Sequence, residues 1–390
     1  MNNITILKRP PFDLFTFRLF YRLINSTDVD LDGIYVWSSV LDLSYIHHEH
    51  CPDEETSADY RVKLFNAFKK DTIVLGIKDH LTGSNDFNPW LESIPDIVEG
   101  IGTIVTAFSN KKFIILTSVE NLNAYLKYDN LTIVPWGGDL TNQVYEYKKI
   151  EPILDKNLDS TTNYISLNRN MRNHRAILVS LLYGMEIDNM GLVSCMFNNI
   201  LKDTVEYTQW QFTEEQQHIK DIVRRGSTLL TGATLPIDDS IQIYENNDND
   251  NVFNFKNKLT NYYQNTFVEI ISETSYTEKC FLLTEKTLNS IYGCNFPILL
   301  CSQGAVKFLR DMGFDMFDDI IDHSYDSIEN PIDRMYAAIT DNKELLTNNV
   351  LVKELWIKNK HRFLNNINFA KVGMYEFYAT RAIEEFEKCL

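Results

Sequence analysis

The sequence predicts an α/β protein of two Rossmann-like domains, each a parallel sheet flanked by helices. Three observations carry that expectation. The chain has 390 residues, more than one core usually serves, because single cores stop growing well below that length. Short apolar or β-branched runs alternate with polar, helix-compatible stretches, the one-dimensional form of a strand-helix-strand repeat. That alternation starts twice, once in each half. With 44% apolar and 23% charged residues, the composition is that of a globular protein rather than a disordered or fibrous one.

In the first half the apolar runs are Gly33–Val40, Thr72–Ile77, Gly102–Phe108, Lys112–Thr117 and Leu131–Val134, each read as a buried strand. The segment PWGGDLTNQ (Pro135–Gln143) ends the last run with turn residues, and the polar stretch Glu151–Thr162 follows. The first domain is therefore drawn as 1–155. The second, 156–341, opens with a strand at Tyr164–Leu167, an apolar helix at Ala176–Tyr183 and a strand at Gly191–Cys195, then a mixed helical region to about Leu230. After the polar spacer YENNDNDN (Tyr244–Asn251) come a strand at Thr266–Ser272, a helix at Glu285–Tyr292, a strand at Phe296–Cys301 and a helix at Ala305–Met312. Residues 342–390 read as a C-terminal helical segment, polar on one side.

The formal charge of −17 repels a polyanion unless basic residues are gathered locally, so nucleic acid is a disfavoured partner though not an excluded one. One such gathering exists. Asn168–Arg175 holds three arginines and a histidine in eight residues, which suits a few phosphates on a small ligand. No apolar run reaches the ~18–20 residues of a membrane span, and the first residues lack the apolar stretch and small-residue cleavage site of a signal peptide. Six cysteines are scattered without CxxC pairs, several in apolar stretches, and read as reduced core thiols. The expectation is a cytoplasmic protein.

Two segments carry chemistry. In YISLNRNMRNHRAILVSLLYG an Asn/Arg-rich turn joins a strand to an apolar helix, so Arg169, Arg172, His174 and Arg175 fall near a helix N-terminus, where backbone amides and the helix dipole favour anions. Guanidinium forks bind phosphate oxygens in pairs at any physiological pH. A diphosphate is the natural ligand of that arrangement. In ISETSYTEKCFLLTEKTLNSIYGCNFPILLCSQG (Ile271–Gly304), Glu285 and Lys286 occupy the first turn of a helix between two apolar strands, the strand-to-helix corner at which open α/β sheets bind ligands. A carboxylate there can accept both hydroxyls of a ribose, and the adjacent ammonium can meet a phosphate.

Taken together, the two segments resemble the nucleotide-sugar site of fucosyltransferase-like glycosyltransferases of the GT-B fold. In that family a Glu-containing turn rich in Ser, Thr and Asn precedes Tyr/Phe-x-Thr-Glu-Lys, a helix, and a Pro-Ile strand ending near Gly. This chain has Glu273, then LLTEK with Thr284, Glu285 and Lys286, then FPILL and Gly304. The SLNRNMRNHR segment and GFDMFDDIIDHSYDSIENPIDR resemble motifs of uncharacterised, often viral, relatives of that group; a viral origin would place the protein in the host cytoplasm. The resemblance covers about Tyr164–Arg334. It implies two Rossmann-like domains facing a cleft, with Glu285 on the ribose. Lys286 and one or more of Arg169, Arg172 and Arg175 would hold the diphosphate, and Glu273 would support the nucleotide. The spacing from Glu273 to Glu285 is longer than in the fucosyltransferases, and Phe281 stands where an acidic residue is usual, so the sugar is not fixed.

A GT-B enzyme needs no metal or other cofactor beyond its nucleotide-sugar co-substrate if cations and helix amides neutralise the leaving diphosphate. An inverting reaction also needs a base for the acceptor hydroxyl. Asp139, in the Gly-Gly-Asp turn after a strand, is the candidate in the first domain. HHEHC (His47–Cys51) has ligand-type side chains, but adjacent residues rarely converge on one ion and no second cluster matches them. DVDLD (Asp28–Asp32) precedes a strand rather than following one and reads as a solvated turn. The expected function is transfer of a sugar to a hydroxyl of a glycan or other acceptor. The alternatives are a phage-type DNA base glycosyltransferase and a non-catalytic nucleotide-sugar-binding or structural protein.

Overall fold

The computed structural model describes residues 5–6, 34–38, 72–77, 94–117, 119–135, 147, 150–168, 172–195, 212–231, 233, 259–276, 279–280 and 282–387. Two compact units divide the chain. The first comprises Met1–Asn142, Lys279–Leu282 and Met374–Leu390, and the second Gln143–Glu278 and Leu283–Gly373. Both are α/β with parallel sheets.

In the first unit, strands β1 (Thr5–Ile6), β2 (Ile34–Ser38), β3 (Thr72–Ile77), β4 (Lys112–Thr117) and β5 (Leu131–Pro135) pair in sequence order, every neighbour parallel. The expected strand at Gly102–Phe108 is instead the last turns of a helix, α1 (Ile94–Ala107), with Phe108 in the turn that follows. Its β-branched residues invite a strand reading, but Ile101 and Val105, four apart, are buried while Glu99, Thr103 and Thr106 are exposed. That is the spacing of a helix with one covered face. Gly102 lies under Tyr128, whose hydroxyl would be 2.8 Å from a Cβ built there.

The second unit has four parallel strands, β6 (Tyr164–Ser166), β7 (Gly191–Val193), β8 (Val268–Ser272) and β9 (Phe296–Leu300), in the spatial order β7-β6-β8-β9. All five residues of β8 and all three of β6 are buried, as a parallel sheet covered on both faces requires. Helix α2 (Asn173–Gly184) follows β6 and packs closely on α3 (Gln217–Leu230). A Cβ at Gly226 would meet Ser180 O at 1.7 Å, so only glycine permits this approach. The short α4 (Thr260–Gln264) precedes β8, α5 (Glu285–Gly293) lies between β8 and β9, and α6 (Ala305–Met312) follows β9. Asp326 accepts the Val306 and Lys307 amides at 3.1 and 2.9 Å, so the N-terminus of α6 already holds a carboxylate.

Helices α7 (Pro331–Thr340), α8 (Lys343–Thr347) and the 39-residue α9 (Asn349–Glu387) complete the chain. Asn330 caps α7 through two amide hydrogen bonds, with Pro331 at the first helical position, a standard start signal. The last turns of α9 belong to the first unit, where Arg381 pairs with buried Glu120 at 2.6 Å. Among the described residues, no helix is long and apolar enough to cross a membrane.

Candidate functional site

The strand order of the second unit reverses direction. From β6 the chain steps to β7 on one side, then crosses to β8 on the other side of β6 and continues to β9. Between β6 and β8 lies a topological switch point, where the connections lead the chain to opposite sides of the sheet, the position at which open α/β sheets bind ligands. The two chemistry-bearing segments are the connections that leave these two strands.

The chain leaves β6 through Leu167 and Asn168. Buried Asn168 donates its backbone amide to Ser194 Oγ at 2.8 Å and its side-chain Nδ2 to Ser166 Oγ at 2.9 Å, which fixes the exit. Arg172 then stands at the N-cap of α2 with extended backbone and makes no side-chain capping bond there. His174 and Arg175 occupy the first turn. All three side chains are buried, with exposures of 8%, 7% and 3%. Each meets one of three consecutive carbonyls that begin at the last residue of β8. Arg175 Nη2 donates to Ser272 O at 3.3 Å, His174 Nε2 lies 2.9 Å from Glu273 O, and Arg172 Nη1 donates to Thr274 O at 3.4 Å. The histidine contact is of normal length and the arginine bonds are long. Burial, then the Arg175 and Arg172 charges, hold the His174 imidazole well below its ordinary range. A neutral ring donating from Nε2 to the carbonyl follows.

The chain leaves β8 through Glu273, which is fully buried. Its carboxylate accepts the Thr284 amide (3.1 Å), the Thr284 hydroxyl (2.6 Å) and the Thr287 hydroxyl (2.8 Å). Glu273 thus clamps the first turn of α5 to the end of its strand. Thr284 is the N-cap of α5. Lys286 Nζ donates to Thr284 Oγ1 at 2.9 Å and lies 3.6 Å from Glu273 and 3.5 Å from Glu285. Glu285 and Lys286 are the accessible members of the corner, with side-chain exposures of 29% and 21%. Burial raises the Glu285 carboxyl, but the Lys286 ammonium, its own backbone amide and Arg175 outweigh that and hold it below the ordinary carboxylate value. It is ionised at neutral pH.

The structure brings Arg172, His174, Arg175, Glu273, Thr284, Glu285 and Lys286 together beyond the carboxyl ends of β6 and β8. Asp139, Arg169, Asp28–Asp32 and His47–Cys51 lie outside the described residues. Among the described residues, no group of three or more His, Cys, Asp or Glu side chains is placed to hold a metal ion. Sequence reasoning missed Tyr276 and Arg334. The Tyr276 ring stacks on His174 with centroids 5.4 Å apart, and the Arg334 guanidinium lies 4.7 Å from the Tyr276 centroid. A signal existed: Arg334 falls among the buried positions Ile332, Met335 and Ala338 of α7, where an arginine needs partners. No family model matches the chain, and neither a curated protein nor a solved structure matches it.

Proposed function

We propose that the protein is a glycosyltransferase that moves a sugar from a nucleotide-diphosphate sugar to an acceptor hydroxyl, with the donor held by the second unit. One observation carries the reading. The two sequence segments singled out for phosphate and ribose chemistry leave adjacent strands at a switch point of a parallel sheet, the position at which such sheets bind nucleotides. In this reading Glu285 accepts the ribose hydroxyls, and Lys286, Arg172 and Arg175 meet the diphosphate. Arg169, on the same turn, is a further phosphate candidate. The Arg175 and Arg172 bonds to the carbonyls are long, at 3.3 and 3.4 Å, and an anionic phosphate would offer each guanidinium shorter, paired bonds between opposite charges. Those cations also stabilise the negative charge that grows on the departing diphosphate, so the proposed chemistry requires no metal. Glu273, with its carboxylate occupied by three donors, supports the nucleotide by fixing the corner, and Thr284 is its partner. Asp139 is the proposed base, taking the proton of the acceptor hydroxyl. The proposed setting is cytoplasmic, that of the host if the chain is viral.

The test is a thermal-shift panel of GDP-, UDP-, ADP- and CMP-sugars in the presence of EDTA, since a ligand of the native state raises stability by mass action. A rise with at least one donor, followed by slow hydrolysis or transfer of its sugar, is expected. Binding without turnover would instead favour a non-catalytic nucleotide-sugar-binding protein. No rise with any donor would remove the reading altogether.

A further inference from the structure

We propose that Arg334, acting through Tyr276, is a positioning residue of the switch-point site, which sets the geometry of the arginine turn without touching the ligand. This rests on the reading that the site holds a nucleoside diphosphate. Arg334 comes from α7, far along the chain from either site segment, and is 3% exposed. Its Nη1 donates to Ile328 O at 2.8 Å and Glu329 O at 3.2 Å, and its Nη2 donates to Tyr276 O. The guanidinium also lies against the Tyr276 ring, and the Tyr276 hydroxyl donates to Pro331 O at 3.0 Å, back at the start of α7. The first residues after β8 are therefore gripped twice, at Glu273 through its bonds to the start of α5 and at Tyr276 by Arg334 of α7. From the last residue of β8 onward, the carbonyls of Ser272, Glu273, Thr274 and Tyr276 meet Arg175, His174, Arg172 and Arg334 in turn.

The consequence reaches the site through one ring. His174 stacks on Tyr276 with planes 22° apart, and its two chain neighbours in the cluster are the arginines proposed for the diphosphate. Displacing Tyr276 shifts the carbonyls that hold Arg172 and Arg175 and the ring that holds His174 together. A buried guanidinium carries a large desolvation cost that an apolar residue of similar volume avoids. Arg334 offsets that cost with the Ile328 and Glu329 carbonyls just before its own helix and with the Tyr276 carbonyl of the loop it aligns, and the last of these distinguishes it from a core residue that only fills space.

The experiment measures calorimetric affinity for GDP, UDP, ADP and inorganic pyrophosphate in wild type, Arg334→Met, Arg334→Lys and, as a control, Arg362→Met. The control removes a pair to Asp315 elsewhere in the second unit and so lowers stability without touching the loop. Arg334→Met should weaken the best diphosphate about tenfold, the scale of one lost charge-assisted contact, with Arg334→Lys in between. Arg362→Met should lower Tm and leave affinity unchanged. Arg334→Met binding within twofold of wild type would overturn the proposal, as would an equal affinity loss in the control. Should Arg334→Met not fold, Arg334→Lys and Tyr276→Leu apply the same threshold. A wild type that binds none of the four probes overturns the functional reading itself, and this inference with it, before any variant is compared.

Discussion

Glu269 sits inside β8, 2% exposed, with Tyr263 Oη donating to its Oε1 at 2.8 Å. Burial pushes its carboxyl up to about 8, against the opposing pull of Tyr263, Ser290 and Lys156. Between the ordinary 4.5 and that value, the folded chain keeps a proton that the unfolded chain has released, so this group lowers stability as pH rises. Glu269→Gln removes the contribution. Comparing Tm of wild type and Glu269→Gln from pH 5 to 7 should show the variant gaining on wild type by up to roughly 1.4 kcal/mol per pH unit; parallel curves would mean that Glu269 is ionised in the fold. At the site, Lys286→Ala and Glu285→Ala should each weaken diphosphate binding by about one to two decades while the fold persists, read by calorimetry alongside circular dichroism. At this scale the sequence showed which residue types cluster, because Arg169–Arg175 and Thr284–Lys286 are each contiguous. It could not show that Glu273 has both oxygens occupied, since its partners Thr284 and Thr287 are 11 and 14 residues away.

Helix α5 shows how elements hold the corner in place. Its N-terminus is fixed by Thr284 and Glu273, and its C-terminus by a cation from the connecting segment. Lys156 Nζ donates to Gly293 O at 2.5 Å, to Tyr263 O at the end of α4 at 2.7 Å, and to Asn295 Oδ1. Burial pushes the amine down to about 7, yet three acceptors call for the three donors of an ammonium, in the favourable place for a cation at two helix C-termini. Lys156→Met leaves those acceptors buried and should cost about 1–3 kcal/mol for each one left unpaired; a denaturant midpoint equal to wild type would show the bonds to be dispensable. Element types were legible wherever periodicity was clean, as at Thr72–Ile77 and Lys112–Thr117, which match β3 and β4. They were not legible at α1, where a β-branched helix reads as a strand until the burial of Ile101 and Val105 is known. Nothing in Glu151–Thr162 marked Lys156 as more than a solvated charge, because its acceptors lie more than 100 residues ahead.

Across the whole molecule, alternating apolar runs announce parallel sheets in both halves, but strand order is a long-range property that periodicity does not encode. The described strands of the first unit run in sequence order and contain no reversal; those of the second reverse once. The reversal in the second unit is the place at which open parallel sheets bind ligands, and the proposed site lies there. The long-range return of Arg381 to Glu120, 261 residues away, was equally invisible in one dimension. The central claim is that the arginines and lysine at the switch point bind a diphosphate, rather than serving only as partners for backbone carbonyls. The most direct measurement is a calorimetric titration of wild type, Arg172→Lys and Arg175→Lys with the best nucleoside diphosphate, at low and high salt. An ammonium cannot reproduce the guanidinium fork, so at least one Arg→Lys variant should lose affinity at both salt concentrations. If both variants bind like wild type, with only a weak interaction that salt screens away, the site is not a diphosphate site and the account is contradicted.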